Sequence, residues 1–212
     1  MACCLWFENS ADRHWARVTP PHIVHAMGDP DRATPLSLRP ATATVEDGLV
    51  FARLLDEAQE GMYRKVLGRR AGTIVAQAFI KPVNDLSYLH VTFAEHGERV
   101  VGMASGYTAE THRDFTDQVL EAAAGWRRYR WAAFVRIARR MFRFMDTVPD
   151  GDFYVRALAV EPLERGAGIG TLLVGSLEET ALAAGSKRFA LDVATKNRNA
   201  RRLYERLGLT AE

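Results

Sequence analysis

Three glycines alternate in the segment Val160-Glu-Pro-Leu-Glu-Arg165-Gly166-Ala167-Gly168-Ile169-Gly170-Thr171, between a strand-like apolar run and a helix-like one. Glycine at such a junction admits positive φ and lets a ligand come close to the backbone. The first N–H groups of a helix lack intrahelical partners and point outward, and the helix dipole adds about half a positive charge at that end. The chemistry of residues 166 to 171 is therefore that of a cradle for a phosphate or pyrophosphate. Two familiar cradles do not fit. A Walker loop needs a lysine after its last glycine, and none follows Gly170. A dinucleotide turn needs Gly-x-Gly-x-x-Gly, but the sixth position is Thr171 counted from Gly166 and Leu173 counted from Gly168. The plainer alternative is a tight strand-to-helix turn that binds nothing.

Arg165-Gly-Ala-Gly-Ile-Gly170 resembles the Arg/Gln-x-x-Gly-x-Gly/Ala signature of the GNAT superfamily of N-acetyltransferases. Leu36-Ser-Leu-Arg-Pro-Ala-Thr42 is similar to that family's opening strand, and Asn197 to Leu209 to its last conserved helix. The resemblance spans residues 36–212 and implies acetyl-CoA as co-substrate. It puts the pyrophosphate on Arg165, Gly166, Ala167, Gly168, Ile169, Gly170 and Thr171. It also pairs the backbone of Leu158, Ala159 and Val160 with the pantetheine arm in a splayed gap between strands. Asn197 falls where the family has an amide touching the cofactor; as a helix-start residue it could instead satisfy backbone N–H groups.

Acetyl transfer to an amine asks for a neutral nucleophile, a held thioester and a proton for the departing thiolate. An amine of pKa near 10.4 costs about 4.6 kcal/mol to deprotonate at pH 7, so a general base is needed, directly or through water. For the proton return the resemblance points to Tyr204, a phenol that is protonated at neutral pH; packing on the buried side of its helix beside Leu203 and Leu207 is the competing role. For the base it points to Asp192, twelve residues earlier, where one branch of the family carries a glutamate. Phe189, Leu191 and Val193 share one face of that strand, Ala190 and Asp192 the other. Aspartate is one methylene shorter and would act through water; a solvated or structural carboxylate is the other reading. Asp152 and Glu161 are weaker alternatives.

These residues need a scaffold, and the patterning supplies one. A short strand is expected over Leu36–Leu38. A helix then starts at Thr44 with Asp47 three residues on, breaks near Gly61 and resumes to Gly68. Ala71 to Ile80 reads as a short helix, and Leu86–Ala94 with Arg99–Tyr107 as an antiparallel hairpin. Residues 110–146 read as a helical insertion broken near Gly125. Strands over Phe153–Val160 and Arg188–Val193 alternate with helices over Gly170–Ala184 and Asn199–Leu207. The expected fold class is α/β, with a mixed, mostly antiparallel central sheet flanked by helices. The resemblance makes this the acyl-CoA N-acyltransferase fold. The family continues past the Tyr204 helix with one or two more strands; here the chain ends at Glu212, so an open sheet edge and a weakened acceptor pocket are expected. Residues 1–35, with five of the chain's eight prolines falling in the stretch 20–40, are expected to be a disordered or extended tail.

The 212 residues carry 28 Lys and Arg against 26 Asp and Glu, a net charge of +2 that rules out a nucleic-acid binder driven by gross charge. The exception is local. Between Gly125 and Met145 lie seven arginines and no acid, with Arg136, Arg139, Arg140 and Arg143 on one helical stripe and Phe134, Ile137, Met141 and Met145 opposite. An amphipathic helix packed on the sheet, an acceptor-site wall selecting acidic substrates, and a nucleic-acid or anionic-membrane surface all fit that pattern. No apolar run reaches membrane-spanning length. Cys3 and Cys4, adjacent and near the start, do not suit a disulfide framework or a zinc site. The six histidines show no metal-ligand spacing. The resulting expectation is a cytoplasmic enzyme moving an acetyl group from acetyl-CoA to a small-molecule amine by direct attack on the thioester. No metal, nucleic acid or membrane partner is expected, and a homodimer is one expected assembly. A protein N-terminal or lysine acetyltransferase, and a non-catalytic acyl-CoA-binding module, are the alternatives.

Overall fold

The computed structural model describes residues 2–8, 35–141 and 148–211. Strand β1 covers Ala2–Glu8 and β2 covers Leu36–Pro40. Helices α1 (Val45–Ala58), α2 (Met62–Leu67) and α3 (Ala71–Phe79) follow. The hairpin strands are β3 (Val91–His96) and β4 (Arg99–Thr108). Next come α4 (Ala109–Arg113), α5 (Gln118–Ala124) and α6 (Arg128–Met141). The chain then runs through β5 (Asp152–Val160), α7 (Ile169–Ala183), β6 (Arg188–Ala194), α8 (Arg198–Arg206) and β7 (Thr210–Ala211). No helix among the described residues is long and apolar enough to cross a membrane.

The strands form one sheet in the order β2-β3-β4-β5-β6-β1-β7. Every adjacent pair is antiparallel except β5–β6, which is parallel. Two cores flank the sheet. One is built by Phe51, Leu54 and Leu55 of α1 with Ile74, Val75 and Phe79 of α3. The other is built by Ile169, Leu173, Val174 and Leu177 of α7 against Phe153, Val155, Phe189, Leu191 and Val193. The start of α1 is held as the Thr44–Asp47 spacing predicts, Asp47 N–H donating to Thr44 Oγ1 at 3.2 Å. The Asp47 carboxylate has a further use. Arg39 on β2 grips it in a two-pronged pair, both bonds 2.8 Å, and reaches Glu95 on β3 at 2.7 Å through Nε.

Two expectations about the chain's beginning and the sheet edge are corrected. Ala2–Glu8 is not tail; it is a strand paired with β6 along its whole length, Cys4 opposite Asp192. The edge of β6 is therefore covered, and β7 pairs with β1, not with β6. Prolines at 20 to 40 say nothing about an apolar run at 2–8, and an unpaired strand edge is a strong acceptor for one. The remainder of the expected tail, 9–34, lies outside the described residues. The first hairpin strand also begins later than its composition suggests, because Tyr88–His90 forms a single 3-10 turn.

The insertion packs through Trp131, Phe134 and Val135, which join the α1–α3 core. Ile137, expected on the packed face, is exposed, and so is Arg136. The apolar stripe runs i, i+3, i+4 from Trp131, which turns Ile137 outward. The side chains of Arg139, Arg140, Met141, Arg143 and Met145 lie outside the described residues.

Candidate active site

At the end of β5 the chain makes a short 3-10 turn and enters the glycine segment. Gly166 and Gly168 have φ of +88° and +82°, a region that side-chain-bearing residues avoid. A methyl group placed on either would meet no protein atom within 4 Å, so the space above both is open. Gly170 serves a different purpose: a methyl there would come within 3.0 Å of Leu203 Cδ2, so its bareness lets α7 and α8 approach. Gly168 caps α7, and Leu172 N–H bonds back to its carbonyl at 3.1 Å. The amides before Leu172 in this first turn are the donors a helix start leaves without intrahelical acceptors. Ile169 is rooted in the core. Arg165 is engaged within the protein, donating to Val160 O at 2.9 Å and pairing with Glu57 of α1 at 2.8 Å.

The turn sits at the mouth of a split in the sheet. Parallel pairing of β5 with β6 runs from Asp152–Arg188 to Val155–Leu191 and stops there. The cause is a bulge: opposite it, the register of β4 shifts between Ser105 and Gly106, and Arg156 is the extra residue of β5. Before the bulge Val155 faces α7; after it Leu158 and Val160 do, while Ala157 and Ala159 face α1. Beyond the bulge Leu158, Ala159 and Val160 stay paired to β4, with no strand partner on their β6 side among the described residues.

The α1 side of the split carries a polar network. Tyr154 O–H donates to Asp192 Oδ2 at 2.9 Å. Arg156 donates through Nε to Asp85 at 2.9 Å and through a terminal nitrogen to Tyr63 O–H at 3.2 Å. Tyr63 is stacked on Trp131 of the insertion at 5.6 Å between centroids, so α6 buttresses this side. Asp85 is presented by a loop knotted around buried Asn84, whose amide bonds the carbonyls of Ala78 and Lys81 and accepts from Leu86 N–H. The neighbouring Val83 is held at φ +65°, a strained conformation for a β-branched residue. His90, Tyr107, His112 and Phe115 form an aromatic cluster with Tyr154 at centroid distances of 4.8 to 6.0 Å. Burial holds the His90 imidazole below its usual pKa and raises the phenols of Tyr63, Tyr107 and Tyr154.

Tyr204 lies on the other side. It is buried in the α7 core with Leu191 and Val193, and burial pushes its phenol up to about 12. Tyr204 and Asp192 thus approach β6 from opposite faces. Asn197 caps α8, its side-chain oxygen accepting from Ala200 N–H at 3.2 Å, which engages the amide the family resemblance assigned to the cofactor. Asp152 is buried against Arg188, and Glu161 is paired with Arg53 and Arg99; both alternatives to Asp192 are tied into ion pairs. Residue patterning missed Tyr154, Arg156, Asp85 and His90. Alternation along β5 sets Tyr154 on the face opposite Phe153 and Val155, a local signal; the bulge that brings Arg156 to the network leaves none. Among the described residues no group of three His, Cys, Asp or Glu side chains could hold a metal.

A family model described as "Acetyltransferase (GNAT) family" matches residues 51–209. No curated protein matches. Among solved structures, one described as an acetyltransferase is 26% identical over 80% of this chain and 87% of its own, with a TM-score of 0.57. An N-acetyltransferase from Staphylococcus aureus Mu50 is 18% identical over 83% of this chain and 91% of its own, with a TM-score of 0.59. The aminoglycoside N-acetyltransferase AAC(6')-Iy, solved in complex with CoA, is 13% identical over 82% of this chain and 88% of its own, with a TM-score of 0.50. The last two likenesses are of fold.

Proposed function

Because the chain belongs to the GNAT family of acetyltransferases, we propose that it transfers an acetyl group from acetyl-CoA to an amine of a small molecule. The observation that carries this is an open, positive-φ glycine turn at the mouth of a split between two parallel strands. A pyrophosphate fits the outward amides of residues 166–171, and an extended amide-bearing arm fits the β5 edge at Leu158–Val160. Acetyl-CoA supplies the activated acyl group. The chain's own residues do the rest. The turn and the strand edge orient the thioester, and Asp192 takes the proton that the amine nitrogen gives up as its bond to the acyl carbon forms. Tyr204 directs a hydrogen bond at the sulfur as the carbon–sulfur bond breaks. A phenol raised to about 12 is a weaker acid than a thiol near 8.5, so Tyr204 stabilises the thiolate as a donor while solvent completes protonation.

Calorimetry and an acceptor panel test this together. Wild-type protein is expected to bind acetyl-CoA, and Gly168→Ala to bind it at least about tenfold more weakly, because the added methyl points into the open space. Tyr204→Phe is expected to keep acetyl-CoA affinity while turnover, followed as free thiol, falls by about tenfold or more. Absence of acetyl-CoA binding by the wild-type protein overturns the reading. Acetyl-CoA binding without thiol release on any amine of the panel points to a binding module instead.

A further inference from the structure

We infer that Tyr154 is a positioning residue for acetyl transfer: it holds the Asp192 carboxylate at the apex of the strand split and acts on the reaction only through Asp192. The inference rests on the reading of Asp192 as the base that receives the amine proton. Tyr154 stands opposite Ala190 in the β5–β6 register, and the last backbone pair, Val155–Leu191, is one residue further on. Asp192 is therefore the first residue of β6 beyond its pairing with β5. The 2.9 Å bond from Tyr154 O–H to its Oδ2 spans the two strands just where their backbones part. Two residues along a strand advance about 6.6 Å on one face, a span a tyrosine side chain covers. The phenol can lie along that face because Ala190 contributes only a methyl group beside it, and Tyr107 backs the ring at 6.0 Å. Burial keeps the phenol protonated, so it remains a donor to the carboxylate. A carboxylate on a diverging strand has rotamers to choose from, and a fixed donor selects among them.

The test is a double-mutant cycle of Tyr154→Phe and Asp192→Asn. It uses the full chain with acetyl-CoA, and with kanamycin or the panel amine of highest turnover as acceptor probe. Asp192→Asn is expected to lower kcat about a hundredfold. Tyr154→Phe is expected to lower kcat about tenfold, to leave the KM for acetyl-CoA unchanged, and to cause no further loss in the Asp192→Asn background. A spectroscopic readout stands beside the kinetics: the buried phenolic proton gives a slowly exchanging downfield NMR resonance, absent from Tyr154→Phe and displaced in Asp192→Asn. Wild-type kcat in Tyr154→Phe, an equal loss in both backgrounds, or a resonance undisturbed by Asp192→Asn overturns the proposal while the role of Asp192 stands. Full activity of Asp192→Asn overturns the role of Asp192 itself, and the proposal with it.

Discussion

The two sides of the sheet are built on opposite plans around one split. On the α7 side, Tyr204 is enclosed by aliphatic and aromatic neighbours, and β6 offers only Phe189, Leu191 and Val193. On the α1 side the same strands offer the Tyr154–Asp192 pair and Arg156, which reaches Asp85 from a loop and Tyr63 from a helix. The lesson concerns division of labour. A dry side keeps its phenol neutral, which suits the leaving-group donor proposed for Tyr204. A polar side can strip and pass protons, but every buried charge on it must be paired, which makes it the more fragile half.

That contrast can be broken experimentally. The largest stability effect is expected from Arg156→Met, which leaves Asp85 and Tyr63 without their cation. Urea denaturation should show a loss of about 3 kcal/mol. A loss below about 1 kcal/mol would mean that the polar side is not held by its charges. Next is Asp47, whose carboxyl the Arg39 guanidinium, helped by Thr42, lowers from 3.8 to about 2. An acid with a lowered folded-state pKa contributes stability above its unfolded value and loses it as pH falls through the folded one. Asp47→Asn is therefore expected to cost about 2 kcal/mol at pH 7, and the difference from wild type should close as pH drops from about 4 to about 2.

The α7 side should respond to pH with the opposite sign. Burial raises the Glu178 carboxyl from 4.5 to about 6, so its ionisation opposes folding above that pH. Glu178→Gln is expected to stabilise by about 1 kcal/mol at pH 8 and by nothing near pH 4, as followed by thermal midpoint. An Asp47-like sign at Glu178 would break the contrast. The smallest effect is expected at Val83, where glycine accepts φ +65° without strain. Val83→Gly should raise stability by roughly a few tenths of a kcal/mol, as read from the urea midpoint, because the exposed side chain gives up little packing.

Much of this arrangement was legible in the chain. The Arg165–Gly170 pattern located the turn because the demand for positive φ at 166 and 168 is local and only glycine meets it cheaply. Alternation along residues 188–193 assigned Asp192 and its apolar neighbours to opposite faces, since strand periodicity is a local rule. Gly125 broke the insertion where expected. Ile137 and the start of the hairpin depart from the simple periodic pattern: Trp131, Phe134 and Val135 form the packed stripe of α6, and Ser87 caps a 3-10 turn where composition alone suggests strand.

The sequence by itself determined the family, the main strands and helices between β2 and α8 and the place of the glycine turn, because short-range sterics and hydrophobic period act within a few residues. Only the tertiary structure decided that Ala2–Glu8 closes the edge of β6 and that a bulge at Arg156 opens the strands. It also decided that Tyr154 meets Asp192 across the gap, 38 positions apart in the chain. Those outcomes rest on unpaired backbone groups finding partners and on buried polar side chains finding each other. Such pairings are chosen among all the surfaces that folding brings together, so no local pattern encodes them.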